Sequence, residues 1–229
     1  MTDTKHCKQC GTCCRKGGPA LSREDLDLIR QGHIRHDQLV TIRQGELGYN
    51  PATARLEPVP VELLKIRGQG NGWTCLFFAE AGNACTIYAH RPATCKILQC
   101  WQPEALLATI YQNTLRRTDL INPSDPILAE IARHEQACPG RVFTELLTQD
   151  DGTEDLARLS ELVRADLAIR AEVAQKTGIS LEMEFFLFGR PLFKQLAGSG
   201  IEYVEKNGEI HLQRLPSPIC GRGAGGEGQ

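Results

Sequence analysis

The sequence has no apolar stretch that approaches the roughly 20 residues needed to cross a bilayer, and its start, Met-Thr-Asp-Thr-Lys, is polar. Aromatic residues make up only 6% of the chain, and its 26 Lys and Arg residues do not outnumber its 28 Asp and Glu residues. Nucleic-acid binders usually show a basic excess, so neither a nucleic-acid nor a membrane partner is expected. With no leader at its start, the chain is predicted to be cytoplasmic.

Motifs for nucleotide chemistry are also lacking. The sequence has no phosphate-binding G-x-x-x-x-G-K-[ST] loop and no glycine-rich turn between a predicted strand and helix. This argues against S-adenosylmethionine binding on a doubly wound sheet. No cysteine stands beside a convincing histidine base, so a cysteine hydrolase is not expected either.

What the chain does have is cysteine: ten in 229 residues, eight of them between residues 7 and 100. In a secreted protein this number would suggest disulfides, but in a reducing compartment it indicates metal binding or redox chemistry. The chain is long enough to bury a core without such help. The sequence therefore predicts a cysteine-ligated metal centre.

The first group of candidate ligands is the run C-x-x-C-G-x-C-C, formed by Cys7, Cys10, Cys13 and Cys14. A C-x-x-C turn brings two thiolates to one metal, and C-x-x-C-x-x-C is a spacing shared with bacterial iron–sulfur motifs. Adjacent side chains should diverge, so Cys13 and Cys14 are not expected to bind the same ion. One of them would serve a second metal or stay outside the site.

The second group is more widely spaced and consists of Cys75, Cys85, Cys95 and Cys100. Eight thiols suffice for two four-cysteine sites, or for one site with spare residues. Zinc usually uses paired C-x-x-C knuckles, and here only the N-terminal group has one. This asymmetry favours an iron–sulfur cluster, with 4Fe–4S among the types considered, while zinc stays open.

The predicted fold class is α+β: a small cysteine-rich region with short strands, covered by a mainly helical C-terminal half. The predicted divisions are a metal-binding region at 1–102, a helical region with a short C-terminal hairpin at 103–214, and a disordered tail at 215–229. Ser22 and Asp25 predict a capped helix start, and Pro92 predicts the start of a helix carrying Cys95. Little regular structure is expected over 33–60. Further predictions are a strand at 61–66, a hairpin over 73–88, helices at 103–115, 125–137, 154–176 and within 181–197, and a hairpin over 201–212.

Together these motifs resemble a bacterial family, the YkgJ-like CxxCxxCC proteins, which are described as zinc- or iron-chelating domains. The resemblance rests on residues 7–14, on Trp73-Thr-Cys75-Leu-Phe, and on Cys85-Thr-Ile-Tyr88-Ala-His-Arg91-Pro92-Ala-Thr-Cys95 with Cys100, and spans roughly residues 5–101. The domain is also similar to the cysteine-rich part of flagellin lysine N-methylases. The resemblance implies that all eight cysteines are ligands. It also suggests that Tyr88 and Arg91 lie beside them, where Arg91 would offset thiolate charge.

His134 and Cys138, four residues apart on a predicted helix, form a weaker candidate pair of ligands, and His6 is a candidate neighbour of the N-terminal group. The leading hypothesis is a cytoplasmic metal-binding protein with an iron–sulfur or zinc centre and a helical half that offers a surface to a protein partner. Two alternatives stay open. One is an enzyme or enzyme subunit, a transferase or a redox protein, that uses the cluster. The other is a structural zinc domain for protein interaction.

Overall fold

The computed structural model describes residues 7–70, 72–149, 153–206 and 209–215. The helices are α1 (Thr12–Arg15), α2 (Leu26–Arg30), α3 (Ala93–Ile97), α4 (Glu104–Leu107), α5 (Ile127–Ala137), α6 (Gly140–Thr148), α7 (Thr153–Thr177), α8 (Leu181–Phe188) and α9 (Leu192–Gln195). The strands are β1 (Leu39–Ile42), β2 (Leu47–Asn50), β3 (Arg55–Pro58), β4 (Leu63–Ile66), β5 (Phe78–Ala79), β6 (Ala84–Cys85), β7 (Ile201–Lys206) and β8 (Glu209–Arg214). The predicted α+β class is confirmed.

Within the described residues, the strands form four antiparallel pairs: β1 with β4, β2 with β3, β5 with β6 and β7 with β8. Only β1 and β4 are separated by other strands, and their register aligns Leu39 with Ile66. All four residues of β1 are buried, because helix α8 packs against this strand. The Thr41 hydroxyl donates to the Phe186 carbonyl at 2.6 Å, which ties the N-terminal strands to the helical half.

The largest hydrophobic core draws on both halves of the chain. Leu39, Leu64 and Phe78 pack together with Ile131 and Phe186. Cys75 belongs to this same core, so the cysteine-rich region and the helices share one apolar interior. The predicted division at residue 102 stays a prediction, and the predicted tail from residue 216 onward lies outside the described residues.

Several predicted elements are confirmed. Ser22 and Asp25 form the predicted capping box ahead of α2, Pro92 precedes α3, and α5, α7, α8, α9 and the β7–β8 hairpin lie where the periodicity placed them. The hairpin over 73–88 is present, but its paired strands shrink to β5 and β6. The turn of the C-terminal hairpin, at residues 207–208, lies outside the described residues.

Two expectations are wrong, and one helix was missed. Residues 33–60 contain three strands. Strand β1 pairs with β4 across about twenty residues, which leaves no local pattern. Strands β2 and β3 form a local hairpin, but they are mostly exposed or half-buried and lack a buried apolar face. The helix predicted over 103–115 shortens to α4, since turns with positive φ at Tyr111 and Asn113 follow it. Helix α6 was not predicted, although Pro139 at its N-terminus is a typical start.

A buried ionic network joins α5, α7 and the C-terminal end of α8. Nε2 of His134 lies 2.6 Å from Oδ1 of Asp166, which also accepts from Nε of Arg170 at 2.9 Å. Arg170 in turn donates to the Phe188 carbonyl. Because buried charges are retained only when they are paired, this network fixes how the helices pack.

Candidate metal centre

The N-terminal cysteines lie on a loop that includes the single turn of α1: Cys7 and Cys10 precede this helix, and Cys13 and Cys14 lie in it. Cys7, Cys10 and Cys13 are exposed and Cys14 is half-buried. Gly11 caps α1 with a φ of +73°, a left-handed conformation that favours glycine. A Cβ atom at Gly11 would lie 2.4 Å from the Phe78 ring, so the loop passes in direct contact with the base of the β5–β6 hairpin.

Three cysteines of the second group, Cys75, Cys85 and Cys95, lie near the same place. The Cys75 amide donates to the Cys14 carbonyl at 2.8 Å, which brings the two sequence groups together. Cys85 pairs with Phe78 in the β5–β6 ladder. Cys95 is the third residue of α3, a helix that begins directly after Pro92.

Five of the eight predicted ligands lie within electrostatic reach of one another: Cys13, Cys14, Cys75, Cys85 and Cys95. These five residues are called the inner cysteines below. Cys13 and Cys14 are adjacent in the single turn of α1. The expectation that they do not bind the same ion stays a prediction.

Burial raises the pKa of three inner thiols, those of Cys14, Cys75 and Cys95. It is the largest cause for Cys14, whose pKa rises to about 12, with the Cys13 thiol adding to the effect. Burial also raises the pKa of Cys95, again with nearby thiols contributing, and that of Cys75. At neutral pH these groups hold their protons, so a metal that binds them must displace protons.

Cys7, Cys10 and Cys100 are the outer cysteines: all three are exposed. Cys10 differs from the inner group, because the nearby Thr12 hydroxyl, 3.3 Å away, lowers the pKa of its thiol. Cys100 follows the end of α3. The structure thus brings the inner five together, although Cys13 among them is as exposed as the outer three.

The donor set fits zinc or iron in its chemistry but is not closed in its geometry. Thiolates are ligands for both zinc and iron–sulfur clusters, and the inner cysteines supply five. Among the described residues, however, no group of three or more His, Cys, Asp or Glu side chains is arranged to hold a metal ion.

Two polar residues that the sequence did not mark as part of the site anchor the Cys95 helix. The buried Asp25 accepts from the Ala93 amide at 2.8 Å, and the Thr94 hydroxyl donates to the Ala20 carbonyl at 2.6 Å. The Ser22–Asp25 capping pair was visible in the sequence. Its second bond, to a segment 68 residues away, left no sequence signal.

Tyr88 and Arg91 contact each other. Nη1 of Arg91 donates to the Tyr88 carbonyl at 3.1 Å, and the guanidinium lies 4.1 Å from the centre of the Tyr88 ring. Among their described contacts, none joins either residue to a cysteine. Their predicted place beside the ligands stays a prediction.

His134 and Cys138 belong to a different part of the molecule. His134 bonds to Asp166, and the Cys138 thiol donates to the Leu162 carbonyl at 3.7 Å. Cys138 packs in a second hydrophobic core, separate from the one that contains Cys75. This pair is therefore not brought to the inner cysteines, and His6 and Cys220 lie outside the described residues.

Fold and site together define a chain in which distant cysteines gather around a short hairpin. The family model CxxCxxCC, described as "Putative zinc- or iron-chelating domain", matches residues 6–139. Since the match covers more than half of the 229 residues, the chain belongs to this family, as the motifs predicted. The match extends beyond the span of residues 5–101 on which the resemblance was based.

No curated protein and no solved structure matches the chain significantly. Within the described residues, no helix has both the length and the apolar character that membrane crossing requires. Family membership supports the predicted metal binding and names zinc or iron as the metal.

Proposed function

We propose that the chain binds zinc or iron through the thiolates of the inner cysteines, with the outer cysteines as further ligands. The observation that carries the proposal is the packing of Cys14, Cys75 and Cys85, which are distant in sequence, in one hydrophobic core. Cys95 lies close enough for these thiols to raise its pKa. Membership of a zinc- or iron-chelating family points the same way.

The raised pKa values of the Cys14, Cys75 and Cys95 thiols give the proposal a chemical consequence. A metal has to compete with protons for these sulfurs, so affinity should fall as pH falls. The nine cysteines that the structure describes are free, which supports a cytoplasmic, reducing location in which thiols stay available to metal.

Within this proposal, an iron–sulfur cluster is the more specific candidate. It is supported by the C-x-x-C-x-x-C spacing of Cys7, Cys10 and Cys13, and by a total of eight thiols, more than one zinc ion takes up. The proposed role of Arg91, with Tyr88 beside it, is to offset the negative charge of the thiolates. An exchangeable cluster would favour the alternative that the chain is an enzyme or enzyme subunit. A closed four-thiolate zinc site would favour the alternative of a structural domain for protein interaction.

Anaerobic purification followed by metal and sulfide analysis and visible absorption tests this proposal. Charge-transfer bands in the visible range with matching iron and sulfide are expected for a cluster. A colourless protein with stoichiometric zinc would exclude the cluster and keep the metal-binding proposal. If neither metal co-purifies, and neither can be loaded anaerobically, the proposal is wrong.

A further inference from the structure

Arg15 joins the N-terminal cysteine loop to the β5–β6 hairpin. Its Nη1 donates to the Cys10 carbonyl at 3.1 Å, and its Nη2 donates to Oδ1 of Asn83 at 3.0 Å. The guanidinium also lies 4.7 Å from the centre of the Phe78 ring. One side chain therefore contacts the loop that carries four cysteines and the hairpin that carries Cys85.

Asn83, in the hairpin turn, completes this bridge from the other side. Its Nδ2 donates to the Gln9 carbonyl at 3.1 Å, while its Oδ1 accepts from Arg15. Gln9, Gly11 and Asn83 all have positive φ values, a conformation that non-glycine residues adopt at a cost. The bridge holds both strained turns in contact.

The ion pair between Arg15 and Glu80 is the less important part of the arrangement. Nη2 of Arg15 lies 3.2 Å from Oε2 of Glu80, but the two side chains are 44% and 62% exposed. Ion pairs in such positions contribute little, because water screens them. What only arginine can supply is a rigid fork that reaches a carbonyl and an amide at the same time.

We propose that Arg15 is a positioning residue for the metal centre: it fixes the N-terminal loop on the hairpin so that Cys13 and Cys14 face Cys75 and Cys85. This inference rests on the proposed function, since it assumes that these thiols bind one centre. Arg15 acts through the backbone of Cys10 and the side chain of Asn83, without binding the metal itself. Its role depends on the shape of the guanidinium more than on its charge.

The test compares the full-length wild-type chain with Arg15→Lys and Asn83→Ala, using Lys16→Ala as the matched control. Lys16 is the neighbouring exposed base. Zinc affinity is measured anaerobically by competition with a chromophoric chelator. Zinc protection of each cysteine from alkylation is then mapped by mass spectrometry.

Arg15→Lys and Asn83→Ala are each expected to weaken zinc binding by about tenfold or more, the scale seen when groups that orient ligands are removed. Protection should be lost first at Cys10, Cys13 and Cys14, while Cys75, Cys85 and Cys95 keep more of theirs. If Arg15 only compensated charge, Arg15→Lys would bind zinc like the wild type, because lysine keeps the charge. If Arg15 only supported the overall fold, protection would be lost at all the cysteines alike. Lys16→Ala should match the wild type.

Wild-type affinity and wild-type protection in both Arg15→Lys and Asn83→Ala would overturn the inference while leaving the proposed function intact. A wild-type chain that binds no zinc in the same assay, and no iron on anaerobic loading, would instead refute the proposed function and the inference with it. Circular dichroism of each zinc-free variant separates a local effect from unfolding. A variant that unfolds is replaced by Arg15→Gln, which shortens the fork and keeps a polar group.

Discussion

Asp25 offers a sharp test of how the fold positions the site. Its side chain is 2% exposed. One carboxylate oxygen accepts from the Ala93 amide at 2.8 Å, and the other accepts from the Ser22 amide at 2.9 Å. Ala93 is the first residue of α3, which carries Cys95. The carboxylate thus joins the segment after the N-terminal loop to the helix that presents an inner thiol.

The change to test is Asp25→Asn, which keeps the shape of the side chain. Both carboxylate oxygens accept from backbone amides, so either orientation of the asparagine amide places an NH2 group against one of these donors. An unsatisfied buried donor costs about 1–3 kcal/mol. We therefore expect the free energy of unfolding to fall by about 1–3 kcal/mol, and zinc affinity to fall because α3 loses its anchor.

The assay is urea unfolding of the metal-free chain, followed by the zinc competition experiment. Asp27→Asn is the matched control, since Asp27 is exposed and lies 3.5 Å from Arg30 in a solvent-facing pair. Its effect should stay within about 0.5 kcal/mol. Equal stability and equal zinc affinity for Asp25→Asn and Asp27→Asn would refute this reasoning.

Three further predictions follow from the same structure. Gly11→Ala should reduce metal content, measured by elemental analysis, because its Cβ would lie 2.4 Å from the Phe78 ring at a positive φ; wild-type content would contradict the proposed loop contact. The free energy of unfolding should fall as pH drops below about 6.5, because burial lowers the pKa of His134 in the folded state and the unfolded chain takes up the proton. Urea unfolding at two pH values checks this, and His134→Gln should weaken the pH dependence of stability. Cys95→Ser should lower metal content while Cys138→Ser should not, since only Cys95 lies with the inner thiols; the reverse order would contradict the assignment.

The parts of the fold that could be predicted are those whose signals are local. The capping pair Ser22 and Asp25, the proline before α3 and the long periodic helix α7 each depend on residues close in sequence. Strands β1 to β3 could not be predicted in this way. They are four residues long, and β1 is stabilised by β4 and by a helix that begins at residue 181.

The same distinction between local and distant sequence signals applies to the candidate site. Cysteine spacing predicted the thiols, because metal ligands have to recur at short intervals. The groups that hold these thiols in place were missed, since Arg15 and Asn83 are 68 residues apart and Asp25 and Ala93 are equally distant. Contacts at such separations leave no pattern in a single sequence. Nor could spacing show which of the eight cysteines would be buried or half-buried, namely Cys14, Cys75, Cys85 and Cys95, and which would be exposed.

The measurement that tests the central claim most directly is X-ray absorption at the metal edge of the anaerobically loaded protein. If the cysteines bind the metal, the spectrum should show a shell of sulfur neighbours at about 2.3 Å, the usual zinc–thiolate distance. That shell should lose amplitude in Cys95→Ser and keep it in Cys138→Ser. A shell made only of nitrogen and oxygen neighbours at about 2.0–2.2 Å would contradict the account.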